Sequence, residues 1–313
     1  MAQQSARRIT RLRLLYTLGT TMTVSLVAAV LVALPTTDPE STATRSFPEA
    51  PPATLAQSAL TAAESAAAAG DVDARIAILD RRHDHLATTD SATTPTLAAS
   101  LVKLIVVVDI LDRRREEGLA IGARDIQLIN RALSVSDDQA MNELWTRFDG
   151  MGAIGRVAGR LGLEGTAPPP DVNYWGQATI TASATATLLD HVLEMPPPDR
   201  DLVIAALASA PPVAADGFAQ DFGLLAPGLT DAVAAKQGWM CCVDDSAQLH
   251  SAGVIGPHGR FVVVVLGRLE PTADWEPARH QVSHIASAAA QVLLADDSAR
   301  LDWLPAVHLA AAA

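Results

Sequence analysis

Residues 97–117 read LAASLVKLIVVVDILDRRREE, and this run decides how the rest of the chain is arranged. It has the length of a helix, and its first half is apolar nearly all the way round. A helix tolerates that only where neighbours cover every side, so it is predicted to lie at the centre of the fold. Toward the N-terminus, residues 73–80, DARIAILD, alternate and read as a strand. Before them, residues 54–70, TLAQSALTAAESAAAAG, are strong helix formers with Thr54 as N-cap and Gly70 past the end. Toward the C-terminus two further helices are expected, broken by the glycines of residues 150–155, followed by a proline-rich loop, GTAPPPDVNYWG, over residues 165–176. Helix returns over residues 181–194. A strand is expected over DAVAAKQGWM (231–240), a hairpin over 248–255 and 261–267 around GPHGR, and a closing helix over 277–295. This order predicts an α+β fold: an all-helical insertion inside a chain whose two ends join in one sheet flanked by helices.

The composition excludes several classes. With 313 residues, 49% hydrophobic and 19% charged, the chain can bury a sizeable core. The net charge is −12, and Arg7, Arg8, Arg11 and Arg13 are the only charged residues before Asp38, so the remainder is more acidic still. Such a body repels phosphate backbones, and no nucleic-acid partner is expected. The two cysteines, Cys241 and Cys242, are adjacent. That excludes a disulfide framework and zinc-ligand spacing, and buried thiols are the favoured reading because an adjacent bridge is strained.

Three short motifs carry the chemistry. Ser100-Leu101-Val102-Lys103 stands near the start of the central helix. Residues three apart on a helix share a face, so Lys103 can reach the Ser100 hydroxyl, and a desolvated lysine in its neutral form can take the serine proton. Ser136-Asp137-Asp138 offers a second hydroxyl able to relay a proton, although serine or aspartate before a helix also caps it whatever its chemistry. Lys236-Gln237-Gly238 ends the strand expected at 231–240. On a strand Lys236 and Gly238 point the same way, so lysine can face a site while glycine admits a substrate backbone. A lone lysine on a strand is also commonly just solvated.

Together and in this order the three motifs resemble those of the class A β-lactamases and penicillin-binding D-alanyl-D-alanine peptidases, S-x-x-K, S-D-N and K-T/S-G. Residues 73–103 resemble the family's first strands running into its nucleophile helix, and VSDDQAMNELW resembles the helix that carries its second motif. AVAAKQGW with FVVVVLG resembles the third motif and closing strands. The similarity spans roughly residues 54–295 and implies a β-lactamase/transpeptidase-like fold, an antiparallel sheet flanked by helices with a helical insertion. It implies Ser100 as the acylated nucleophile, Lys103 as general base, Ser136 as proton relay, and Lys236 as an electrostatic anchor for Ser136 and the substrate. It also implies that Asp138, Gln237, Gly238 and Trp239 bind substrate, with the backbone N–H groups of Ser100 and Trp239 as the oxyanion hole. No cofactor or metal is implied. The expected partner is a β-lactam or a peptidoglycan peptide. The alternative is a catalytically weak or inactive relative that binds peptidoglycan or a partner protein.

Three departures bear on that alternative. Asp138 stands where asparagine is usual, Gln237 stands where a hydroxyl residue is usual, and residues 165–176 lack the Glu-x-x-x-Asn arrangement that positions a deacylating water; neither Glu164, Asp171 nor Asn173 matches it. Ser100 and Ser136 are also closer in sequence than in typical class A enzymes, which implies a trimmed insertion and a more open site.

Before this body, residues 14–34 run 21 positions without a charged side chain after the four arginines. That is enough to cross ~30 Å of hydrocarbon. Residues 1–13 should stay in the cytoplasm, residues 14–34 form a transmembrane helix or signal anchor, and residues 35–53, rich in Pro and Thr, act as a spacer. Residues 54–313 then form an extracytoplasmic domain, membrane-tethered, or secreted if the segment is cleaved. No cysteine follows the segment to take a lipid. Among signals set aside, Gly150, Gly152 and Gly155 spell G-x-G-x-x-G but follow a helical pattern rather than a strand, and are read as a helix-breaking turn. His83 and His85 read as a solvated hairpin tip. Tyr174 and Trp175 either wall a groove or pin the proline-rich loop to the core.

Overall fold

Strand β1 (Asp73–Asp80) sends alternate side chains to two different cores, and this splits the molecule into layers. Ile76 and Ile78 face one side, where helices α1 (Leu55–Ala67) and α8 (Glu276–Ala295) lie; Ala77 and Leu79 face the other, toward the helical block. The computed structural model describes residues 54–229, 232–272 and 274–295. The predicted cytoplasmic segment, transmembrane segment and spacer lie outside the described residues. No helix among the described residues is long and apolar enough to cross a membrane.

The sheet also contains β2 (His85–Thr88), β5 (Val233–Val243), β6 (Ser246–Ile255) and β7 (Phe261–Leu269). Its order is β2-β1-β7-β6-β5 and every pairing is antiparallel. Pairing of β1 with β7 joins the two ends of the chain, as predicted. Burial on both faces makes β7 read FVVVVLG without polar alternation, because no side of that strand meets water. Thr54 caps α1 by accepting a hydrogen bond from Gln57 N–H.

The helical block holds α2 (Val102–Glu117), α3 (Ala123–Ser134), α4 (Asp138–Arg147), α5 (Gly150–Leu161), α6 (Ala182–Glu194) and α7 (Pro197–Ala208). A two-stranded ribbon of β3 (Thr96–Leu97) and β4 (Thr179–Ile180) precedes α2, so the helix predicted from residue 97 begins only after a 3₁₀ turn at Ala99–Leu101. Every residue of α2 from Val102 to Asp112 is buried. The acidic ones are satisfied by arginines: Arg156 grips both oxygens of Asp109 at 2.9 and 2.8 Å, while Arg115, Arg160 and His191 converge on Asp112.

Two expectations need correction. Residues 150–155 do not break the helix; they are the first turns of α5, with Asp149 accepting from Gly152 N–H as its cap. Glycine is needed at Gly150 for packing, since a Cβ there would stand 2.1 Å from the Trp145 ring. Helix α7 was not anticipated, because residues 196–198 are three prolines, yet proline is compatible with a first turn where no N–H has an intrahelical partner.

Candidate active site

The side chains that the three motifs single out come from three separate elements. Ser100 sits in the 3₁₀ turn that opens α2, which leaves the Ser100 side chain one turn before Lys103 on the same face. Lys103 Nζ lies 3.0 Å from Ser100 Oγ. Ser136 occupies the connection between α3 and α4, and Asp137 caps α4 by accepting from Gln139 and Ala140 N–H. The cap reading of this motif holds on Asp137, which leaves the Ser136 hydroxyl to meet the two lysines. Lys236 projects from β5, the edge strand of the sheet, and its Nζ lies 2.8 Å from Ser136 Oγ and 2.8 Å from Gln237 O.

Lys103 is fully buried and has four oxygen neighbours: Ser100 Oγ, Ser136 O at 2.6 Å, Ser136 Oγ at 3.1 Å and Asp138 Oδ1 at 2.7 Å. The Trp175 ring covers it, with Nζ 5.0 Å from the ring centroid. Burial pushes its ammonium below the usual lysine range, against the opposing charges of Asp138, Asp216 and Asp137. Lys236 is pushed down further by burial and by the positive charge of Lys103. Two amines and two hydroxyls thus form one continuous network.

Backbone conformation is unusual at the same place. Ala99, just before the nucleophile, has φ 46°, and Ser136 has φ 55°. Both lie in the left-handed region that costs a non-glycine residue roughly 1–3 kcal/mol. Gly238 lets β5 lie against this turn: a Cβ on it would stand 3.4 Å from Ser100 N and from Ala98 O.

Above the network opens a cavity of about 390 Å³, lined by Ser100, Asp138, Asn142, Asn173, Tyr174, Trp175, Asp216 and Trp239 among others. Of the sequence-predicted residues, Ser100, Lys103, Ser136 and Lys236 are brought together, Asp138 and Trp239 line the cavity, and Gly238 lies against the turn that carries Ser100 without lining the cavity. Gln237 is not brought there. Its side chain points to the other face of the sheet, donates to Phe222 O and is buried, so it is unavailable to a substrate.

Tyr174 and Trp175 wall the cavity, and Trp175 Nε1–H also pins the loop by donating to Asn142 Oδ1 at 2.8 Å. The buried-thiol reading of Cys241 and Cys242 is corrected: both are exposed and joined to each other, and they lie within the irregularity between Met240 and Val243 where β5 leaves its register with β6.

Asn142, Gln177 and Asp216 are polar cavity residues that were missed. Asn142 lies four residues after Asp138 on α4, so helical spacing from the second motif could have found it. Asp216 sits in the loop after α7, far from any motif, and only tertiary structure brings it in, through a 3.0 Å hydrogen bond from Trp239 Nε1–H.

No protein-family model matches the chain. Two β-lactamase structures illustrate the likeness of fold. A class A β-lactamase from Bacteroides cellulosilyticus aligns with a TM-score of 0.63 at 14% identity, over 78% of this chain and 100% of that one. A β-lactamase from Streptosporangium roseum aligns with a TM-score of 0.60 at 15% identity, over 75% of this chain and 98% of that one. The chain therefore has the serine β-lactamase-like fold that the three motifs predicted. In sequence, proteins named "Putative lipoprotein LppW" from Mycobacterium tuberculosis and Mycobacterium bovis are 34% identical over 218 residues, 68% of this chain and 68% of theirs. The chain belongs to the family of these LppW proteins, and its body is a β-lactamase-like domain.

Proposed function

We propose that this domain is an extracytoplasmic serine hydrolase that forms an acyl-enzyme on Ser100 with a β-lactam or a D-alanyl cell-wall peptide. The observation that carries the reading is the single hydrogen-bonded network of Ser100, Lys103, Ser136 and Lys236 beneath one cavity. In the reaction, neutral Lys103 takes the Ser100 proton as Oγ bonds to the carbonyl carbon. The resulting oxyanion meets the N–H groups of Ser100 and Trp239, where losing one donor typically costs ~3–4 kcal/mol of barrier. As the carbonyl re-forms and the C–N bond breaks, Ser136 hands its proton to the leaving nitrogen and recovers one from Lys103. Water completes the cycle by hydrolysing the ester.

That last step is slow in this reading. None of the residues lining the cavity is a glutamate, and the two carboxylates present, Asp138 and Asp216, are held by Lys103 and Trp239. The same observation favours a second reading, a binding module for peptidoglycan that has lost turnover. Incubation of the full-length protein in detergent with a fluorescent penicillin, followed by mass spectrometry, separates the two. A covalent mass on Ser100, absent in Ser100→Ala, is expected. No adduct at high probe concentration, with retained binding of cell-wall fragments, would establish the module instead.

The relatives' name supports placing the body outside the cytoplasm. The tether differs in kind from a lipoprotein's. The only cysteines are in β5, so residues 14–34 would hold the body by a helix rather than a lipid, or release it if they are cleaved.

A further inference from the structure

Ala99 holds a left-handed conformation immediately before Ser100, and an L-residue keeps such a conformation only where the surrounding structure leaves it no alternative. The ribbon supplies one restraint, Ala98 N–H donating to Ala178 O at 2.7 Å. Others come from β6, the strand beside the one that carries Lys236. Gln248 and His250 stand two apart on β6, so they point to the same face, and both are buried. Gln248 Oε1 accepts from Thr96 Oγ1–H at 2.7 Å, and its amide is oriented by Nε2–H donating to Ser246 Oγ at 3.1 Å. His250 Nε2 lies 2.8 Å from Leu97 O. A carbonyl oxygen only accepts, so that nitrogen carries the proton. Burial, helped by the Arg75 charge, lowers the imidazole pKa to about 4, which leaves the ring neutral at neutral pH. Gly238 pairs with His250 across the two strands, and a Cβ on it would stand 3.4 Å from the imidazole as well as from Ser100 N. Neither Gln248 nor His250 lines the cavity.

From these contacts we infer that Gln248 and His250 are positioning residues for the nucleophile: they clamp Thr96 and Leu97 to the sheet and so hold the strained Ala99 turn that presents Ser100 to the cavity. The inference rests on the acylation reading for what Ser100 does; the clamp itself concerns only how the turn is held. On the same face β6 continues with Ala252 and Val254, which belong to the apolar core, so the polar pair stands only where Thr96 and Leu97 need partners. Without the imidazole, Leu97 O is left without its donor, and the segment regains one only by moving. Movement lets Ala99 relax to negative φ. That rotates Ser100 Oγ away from Lys103 and the Ser100 N–H away from the oxyanion at the same time, because both belong to the residue that follows.

The test compares rates of fluorescent-penicillin labelling for the full-length protein in detergent. His250→Leu removes the donor and should slow labelling at least ~5-fold, the lower end of what release of such strain is worth. His250→Gln restores an N–H near the place of Nε2 and should stay within ~3-fold of wild type. The deciding comparison uses an Ala99→Gly background, since glycine holds a positive φ without strain. There the loss caused by His250→Leu should shrink to ~2-fold or less, because little strain is left for the clamp to oppose. Thr96→Val removes the other hydrogen bond at conserved shape, and carries the same comparison should His250→Leu fail to fold. A loss of equal size in both backgrounds, no loss at all, or a His250→Gln rate as low as that of His250→Leu would overturn the clamp. Hydrogen exchange of peptic fragments separates it from the acylation reading. The fragment spanning residues 96–101 should exchange at least ~5-fold faster in His250→Leu than in wild type, with α8 unaltered. Unaltered exchange at residues 96–101 overturns the clamp whether or not penicillin labels the protein. Faster exchange with no labelling of the wild type overturns the acyl-enzyme alone.

Discussion

Asp138 sets the charge on Lys103. Its carboxylate, 2.7 Å from Nζ, favours the ammonium, whereas the proposed base must be the neutral amine. Replacing it with asparagine removes one opposing charge while burial remains, so the Lys103 pKa should fall further below its ordinary value of 10.5. A lower pKa leaves more neutral amine at neutral pH, and each unit is worth about tenfold in that population. Asp138→Asn is therefore expected to raise the rate of Ser100 labelling at pH 7 by up to about tenfold and move the rising limb of its pH profile to lower pH. A limb that stays put would remove Asp138 from control of the base. Lys103→Ala should slow labelling by at least ~10²-fold, the lower end of general-base contributions; an unaltered rate would reassign the base.

At the scale of elements, α2 holds two buried carboxylates in an otherwise apolar stretch, and each ties it to neighbouring helices. Burial alone would raise the Asp112 pKa, but hydrogen bonds from His191 and Arg115 and the Arg160 charge hold it below its ordinary 3.8. A carboxylate with a depressed folded pKa adds stability that is fully present above its unfolded pKa, and this is lost as the pH falls through the folded value. Asp112→Ala should then cost about 3 kcal/mol at neutral pH. The estimate is at the lower end of buried pairs because Arg115 and Arg160 keep some contact with water. The cost should shrink below about pH 4, where the native protein loses the same contribution. Denaturant melts of both proteins between pH 3 and 7 measure this, and a pH-independent difference would show that packing, not charge, is what was removed.

For the molecule as a whole, the sheet separates the core beneath α1 and α8 from the candidate site. Ile285 of α8 is fully buried in the core on the sheet face away from the helical block. Truncating it should lower stability by about 2–5 kcal/mol. Because Lys236 is held by β5 and Ser100 by α2, Ile285→Ala should leave the labelling rate of the native protein unaltered. Denaturant titration and penicillin labelling together check this, and a labelling rate that drops with stability would mean the two faces are coupled.

Periodicity was enough to determine the central helix, the strands β1, β6 and β7 and the helical insertion between the joined ends, because each depends on residues within a few positions of one another, whereas the four side chains of the candidate site were singled out by the resemblance that the three motifs carry together. The start of α2, the course of residues 150–155 and the existence of α7 were not legible, since glycine and proline act differently at a helix's first turn than within it, and neighbours such as Trp145 decide which applies. The exposure of Cys241 and Cys242 goes with where β5 leaves its register, and the burial of Gln237 with which face of the sheet covers it. Asp216 enters the cavity only because Trp239 and Phe218 hold it there from distant parts of the chain. Local pattern fixes which elements form; which charges face the cleft is a property of side chains brought together by packing, and one chain's spacing does not encode it.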